Sequence, residues 1–216
     1  MSATMMLHSE MRGKPAMPPV AMKTAQPEIQ PFLRYAPDEG IFAEGDAAGG
    51  MYRVVSGVVR CCKFLADGRR HIDAFHKSGD VFGLELGREH QLCAEAVTSC
   101  ALVKLRRPAL EADPEAAAQL YAYAMRSLAH AQAHSQLLGR ATAGQKLAHF
   151  LLEMAQAPGE VMELPMARHD IADYLGLTIE TVSRTMAQFE RDGLLKLITA
   201  RRIRLLNGKG LAALCG

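Results

Sequence analysis

The sequence predicts an α+β chain with its two kinds of structure segregated: an antiparallel β domain, then a long helix, then a small domain of short helices and a β-hairpin. Three observations carry this. Between about residue 30 and Arg106, short apolar runs alternate with Gly/Asp turn signals. Beyond Pro108 that texture stops, and Pro114 opens an Ala-rich segment that runs to about Leu138. After Pro158-Gly159, two helical patterns flank a glycine, and two short apolar strands follow. The expected division is an arm over 1–29, a β domain over 30–106, a helix over 107–140 and a C-terminal domain over 141–216.

The arm is rich in Met, Ala and Pro, and Pro15, Pro18, Pro19 and Pro27 interrupt any helix, so it reads as flexible. In the β domain, strand-like pieces occur at Met51–Ser56, Val58–Phe64, His71–Phe75 and Cys100–Leu105, with Asp67-Gly68 as a hairpin turn. Many short strands at this spacing indicate an antiparallel barrel or sandwich. In the long helix, Tyr121, Ala124, Leu128, Ala131, Ser135 and Leu138 recur at alternating spacings of three and four. Such a short, Ala/Ser-rich seam suits packing against a copy of itself beside a larger domain. Gly139 and Gly144 flank a hinge, and helix resumes at about 142–156.

Composition excludes several classes. The 216 residues are 49% hydrophobic and 22% charged, which rules out a mostly disordered, collagen-like or mucin-like chain. No apolar run reaches membrane-spanning length, and the N-terminus lacks the pattern of a secretory signal. Five cysteines without regular spacing fit a reducing compartment, so a cytoplasmic protein is expected. The net charge of +2 is uninformative, but from Gly193 onward Lys196, Arg201, Arg202, Arg204 and Lys209 stand without an acidic residue. That local excess suits contact with a polyanion.

The most informative stretch is Met166 to Gly193. Ile171, Ala172 and Leu175 line one face of a short helix; Gly176 supplies a tight turn, and Thr178 is placed to N-cap the next helix. There Val182, Met186 and Phe189 face inward, while Glu180, Ser183, Arg184 and Gln188 project from the other side. This is the pattern of a helix-turn-helix, whose second helix enters the major groove of double-stranded DNA. Arg184 can donate to guanine O6 and N7, Glu180 can accept from cytosine N4, and Ser183 can lie against a thymine methyl or donate to a base. Thr178, Thr181 and Gln188 on the helix, and Arg201 and Arg202 at the turn of the following hairpin or wing, are candidate phosphate and positioning contacts.

Other constellations carry less. Cys61 and Cys62, neighbours in a strand, read as core filler plus one exposed thiol, and Cys93 and Cys100 lack zinc-ligand spacing. His130 and His134 stand one turn apart without a sequence-near third ligand, and read as a solvated helix face. The metal-dependent enzymes that some β-rolls host need a His-x-His pair, which is absent, as are Gly-rich phosphate loops and nucleophile elbows. No catalytic residue, metal or enzymatic activity is therefore expected.

From about Ile29 onward, the turn glycines, the heptad helix and the motif Asp170-Ile-Ala-Asp-Tyr-Leu-Gly-Leu-Thr-Ile-Glu-Thr-Val-Ser-Arg184 resemble the CRP/FNR superfamily of bacterial transcription factors. The Glu-x-x-Ser-Arg pattern resembles its FNR/FixK side. The resemblance implies an N-terminal β-roll of the cyclic-nucleotide-binding kind, a dimerisation helix and a C-terminal winged helix-turn-helix. It further implies a homodimer that reads a TTGAT-N4-ATCAA-like palindrome through Glu180, Ser183 and Arg184 and contacts RNA polymerase. Two departures matter. No cysteine precedes Cys61, so the N-terminal iron–sulfur ligands of FNR proper are missing. Arg88 has no following Ser or Thr and stands near Glu89 and Glu95, unlike the phosphate site of the cyclic-AMP receptor. What remains resembles FixK-type activators of low-oxygen respiration and nitrogen fixation, which use neither cofactor. Some of these carry a redox-sensitive cysteine at the position of Ser183. The alternative expectation is a ligand-gated regulator with a small effector in the β-roll.

Overall fold

The computed structural model describes residues 32–106, 114–155 and 161–215; the arm expected over 1–29 lies outside the described residues. Eight strands open the chain: β1 (Leu33–Tyr35), β2 (Gly40–Phe42), β3 (Gly50–Ser56), β4 (Val59–Phe64), β5 (Arg70–His76), β6 (Val81–Phe82), β7 (Cys93–Ala96) and β8 (Cys100–Arg106). They form two antiparallel sheets, ordered β1-β8-β3-β6 and β2-β7-β4-β5. The choice between barrel and sandwich thus resolves to a β-roll, whose core is Val54, Val59, Cys61, Phe82 and Leu102, with Ala94 and Ala96. At Gly57, with φ at +89°, a Cβ would lie 2.4 Å from the Ser99 carbonyl oxygen, so this crossing tolerates no side chain. The Asp67-Gly68 hairpin turn forms as the sequence predicts, with Leu65 N–H donating to Arg69 O at 2.8 Å.

Helix α1 (Pro114–Arg140) starts at Pro114 and, at 27 residues, spans roughly 40 Å. Its Leu120 and Tyr123 pack on Met51, Val81, Val103 and Leu105 of the roll. Tyr121, Met125 and Leu128 point away, 69%, 47% and 51% exposed. A break at Ala141-Thr142 separates α2 (Ala143–Met154), which starts with a capping box: Gln145 N–H donates to the Thr142 hydroxyl at 3.3 Å, and Thr142 N–H to Gln145 Oε1 at 2.8 Å.

The remaining elements are β9 (Val161–Glu163), α3 (Arg168–Leu175), α4 (Ile179–Arg191), β10 (Leu195–Leu197), β11 (Arg202–Leu205) and α5 (Gly208–Cys215). The hairpin β10–β11 is extended by β9 into a three-stranded sheet. Sequence periodicity misses β9 and α5. Three residues carry no period, and β9 exists only through its pairing with β11. Helix α5 holds two glycines but is anchored by buried Leu211 and by Asn207 Oδ1, which accepts from Gly210 N–H at 2.8 Å.

Two expectations are corrected. Neither Cys61 nor Cys62 is exposed: a register shift separates them, with Cys61 inside the roll and Cys62 under the C-terminal helices, in one core with Leu147, Leu151 and Leu175. Both thiols are pushed up by burial, Cys62 to about 12. The histidines of α1 do not share one solvated face either: His130 is exposed as expected, but His134 is not. His134 is buried, its ring stacked on Tyr174 at 4.1 Å, and His130 lies 3.3 Å from Glu153 of α2. Helical spacing located these residues correctly, but the partners come from elements that fold back over them.

Candidate nucleic-acid interface

The helix-turn-helix forms where its pattern lies. Ile171, Ala172 and Leu175 of α3 and Val182, Met186 and Phe189 of α4 are all buried in one core. Gly176 ends α3 in the left-handed region, φ +59° and ψ +43°, and Leu177 N–H reaches back to Ala172 O at 3.0 Å. Thr178 then caps α4, its hydroxyl accepting from Thr181 N–H at 3.2 Å. The hydroxyls of Thr178 and Thr181 lie 3.1 Å apart, at the start of the helix.

This cap orients the outer row of α4. Glu180 and Arg184, one turn apart, are both exposed. The Glu180 carboxyl is held below its usual range by the N–H at the start of its own helix, then by the Thr178 hydroxyl and the Arg184 charge. Ser183 is only half-exposed, because Arg168 Nη1 donates to its hydroxyl oxygen at 3.0 Å. Arg168 Nε is buried without a hydrogen-bond partner among the described residues. Sequence reasoning missed Arg168. A signal existed: a cation in the first turn of a helix opposes the helix dipole, and so calls for another reason to be there.

Gln188, one turn beyond Arg184, is tied into its own helix: its Nε2 donates to Asp192 Oδ1 at 2.7 Å, and its Oε1 accepts from Arg191 at 2.5 Å. In the wing, Arg201 and Arg202 are exposed at the β10–β11 turn, where the Thr199 hydroxyl accepts from both backbone N–H groups at 3.3 and 3.0 Å. Lys196 and Arg204 face each other across the hairpin and are exposed, while Leu195, Ile203 and Leu205 are buried. Glu190 Oε1 accepts from Leu197 N–H at 2.9 Å and joins the wing to α4. The wing is thus tied to α4 and carries the exposed cations Lys196, Arg201, Arg202 and Arg204, the charge that a duplex phosphate backbone requires.

Among the described residues, no helix is long and apolar enough to cross a membrane, and no group of three or more His, Cys, Asp or Glu could hold a metal ion.

Residues 32–112 match the family model of the cyclic nucleotide-binding domain, and residues 145–214 that of the Crp-like helix-turn-helix domain. The chain is 44% identical over 191 residues to the nitrogen fixation regulation protein FixK of Azorhizobium caulinodans, across 83% of this chain and 77% of that one. It is 40% identical over 183 residues to FixK of Rhizobium meliloti, across 84% and 85% of the two chains. The structure of FixK2 from Bradyrhizobium japonicum superposes with a TM-score of 0.82 at 45% identity, covering 87% of this chain and 98% of that one. With both domains matched, and with relatives that are transcription regulators and not enzymes, the chain belongs to the CRP/FNR family as a FixK-type transcription regulator with a DNA-binding helix-turn-helix.

Proposed function

We propose that the protein acts as a homodimeric activator that reads a TTGAT-N4-ATCAA-like palindrome and contacts RNA polymerase. The observation that carries this is the exposed row of Glu180 and Arg184 on α4, with Ser183 beside them held by Arg168. Glu180, Ser183 and Arg184 read base edges, while Thr178, Thr181, Arg201 and Arg202 meet phosphates. Gln188, already bonded within α4, contributes by holding the end of that helix. The solvent-facing row Tyr121, Leu128, Ala131 and Ser135 supports dimerisation along α1. Ala124, half-buried, belongs to the same seam; Leu138 stands 3.7 Å from where a Cβ of Gly176 would be, and so joins the seam to the helix-turn-helix of its own chain. The names of the relatives, nitrogen fixation regulation proteins and transcriptional activators, favour activation of genes for nitrogen fixation or low-oxygen respiration.

The β-roll match raises the question of a cyclic nucleotide. A cavity of about 960 Å³ lies between β5, β6, α1 and α2. Its charged lining is mostly acidic, with Asp73, Asp80, Glu85 and Glu153 against Lys77 and Arg126, and the exposed side chain of Arg88 is not among the lining residues. Lys77 and Arg126, with the hydroxyls of Ser78, Tyr123 and Ser127, are outnumbered by four carboxylates, and an acidic excess of this kind is a poor match for a cyclic phosphate. This favours action without cyclic nucleotide, and the absence of cysteine before Cys61 favours action without an iron–sulfur cluster. The size of the cavity keeps one second reading, gating by a small effector that is not anionic.

Both readings are tested by titrating purified protein into labelled duplex, without nucleotide or metal. Preference for the palindrome over its scrambled sequence is expected; equal affinity removes the proposal. Full affinity only after a small molecule is added selects the second reading.

A further inference from the structure

Beyond its surface row, the helix-turn-helix has an inner attachment. Helix α3 sits on β4 and β5 through two arginines and four carboxylates that span 22 to 110 residues of sequence. Arg70 of β5, its side chain 14% exposed, bonds Asp170 and reaches Asp173 at 2.9 Å through Nε. Arg60 of β4, 8% exposed, bonds Glu95 at 2.8 Å and Asp38 at 3.0 Å, and its Nη1 stands 3.5 Å from Asp170. Asp170 is 3% exposed; it also accepts from Ala167 N–H at 3.1 Å, closing the start of α3, and His169 Nε2 lies 3.2 Å from its Oδ1. Around these charges Cys62, Ile72, Phe75 and Val97 of the roll pack on the C-terminal core.

Apolar contact alone would hold the two halves together but would set their mutual angle weakly. Arginine forks are directional, and burying them is costly unless every bond is met. Such pairs are therefore poor glue and good orienting devices. Two residues before Asp170, Arg168 carries the same helix to Ser183 on the recognition helix. On its other side α3 leans on α1, where Tyr174 stacks on His134. The charge cluster thus links the roll, which rides on the dimer helix, to the element that aims the recognition helix.

We infer that Arg60 and Arg70, with Asp170 and Asp173, form an orientation latch that holds the helix-turn-helix at one angle to the roll, so that the dimer accepts one half-site spacing without an effector. These are positioning residues that do not touch DNA, and the inference rests on the dimeric, palindrome-reading function proposed above.

The test measures the affinity of full-length protein for a single half-site and for palindromes whose central gap is lengthened or shortened by one and two base pairs. Wild type is expected to favour one gap by about tenfold or more, the scale of one lost base contact. In Arg70→Met that preference is expected to shrink to within about threefold, while half-site affinity stays within about twofold of wild type. Thermal melting checks folding. If Arg70→Met does not fold, Asp173→Asn, at the more open end of the cluster, is read by the same criteria. An unchanged gap preference in the folded variant overturns the latch. So does an equal loss on half-site and palindrome, which would place the defect within the helix-turn-helix itself. If wild type does not distinguish palindrome from scrambled duplex, the proposed function fails and the latch with it. If it does, and only the variant result is negative, the latch alone is wrong.

Discussion

At the scale of single residues, the recognition helix divides its work by how each side chain is held. Arg184 is exposed and is free to present both terminal nitrogens to a guanine. Arg184→Ala is expected to cost about 1–3 kcal/mol per half-site, concentrated at one base pair; binding titrations against a panel of single-base variants check it. A uniform loss over the panel would make Arg184 a phosphate contact instead. Ser183 was legible as a polar position on the outer side of α4, but its half-burial and its bond from Arg168 were not, because the two are 15 residues apart and on different helices. Gly176 was fully legible: a turn between two helical patterns needs a left-handed residue, and the glycine sits there at φ +59°. Placing alanine at this position would force it into the left-handed region, at about 1–2 kcal/mol of stability, readable as a lower chemical-denaturation midpoint.

At the scale of elements, the helices with a period and local caps are the ones that sequence could place: α1 begins at its proline, and α4 begins at Thr178. Elements whose stability comes from pairing, such as β9, leave no periodic trace. The exposed row of α1 yields a direct expectation. Leu128→Glu puts a charge where two copies would meet, so sedimentation should show a shift toward monomer, with palindrome affinity lost and the melting temperature little changed. An unaltered dimer would exclude this row as the seam. Three histidines near the junction of α1 and β5 carry a proton-linked balance. Burial pushes His76 down to about 4 and lowers His134, so both favour folding above about 6.5, the usual histidine value, and lose that contribution as pH falls. His130 is raised by its bond to Glu153, and so adds stability below that value and loses it as pH rises through its own shifted value. Two lowered groups oppose one raised group. The melting temperature is expected to fall between pH 7 and pH 5, less steeply in His76→Gln and more steeply in His130→Gln. Identical slopes in all three proteins would contradict this balance.

At the scale of the whole molecule, Lys196, Arg201, Arg202 and Arg204 of the wing and Arg184 of α4 are all exposed, although the net charge is only +2. Binding to duplex should therefore weaken steeply with salt, with a log–log slope of several units per dimer. Arg201→Ala should reduce that slope by about one unit per subunit without changing sequence preference. A slope near zero would mean that phosphates are not met. The order of strands and helices and the exposed outer row of α4 were readable because each rests on contacts near in sequence. The junction between the roll and helix α3 was not: Arg60 and Asp170 lie 110 positions apart, and no spacing rule links a strand arginine to a helix aspartate across that distance. The same holds for His134, whose burial depends on Tyr174 arriving from another part of the chain.

Helix α3 meets strand arginines on one flank, aromatic stacking on another and helix α4 on a third, and this bears on how such regulators can be recombined. A graft that joins the segment after Arg140 to the β-roll of a relative would bring Asp170 and Asp173 against foreign side chains. Unless that recipient also offers guanidinium groups where Arg60 and Arg70 stand, the hybrid would inherit the vocabulary of its donor but not its grammar: the right half-sites, at the wrong interval.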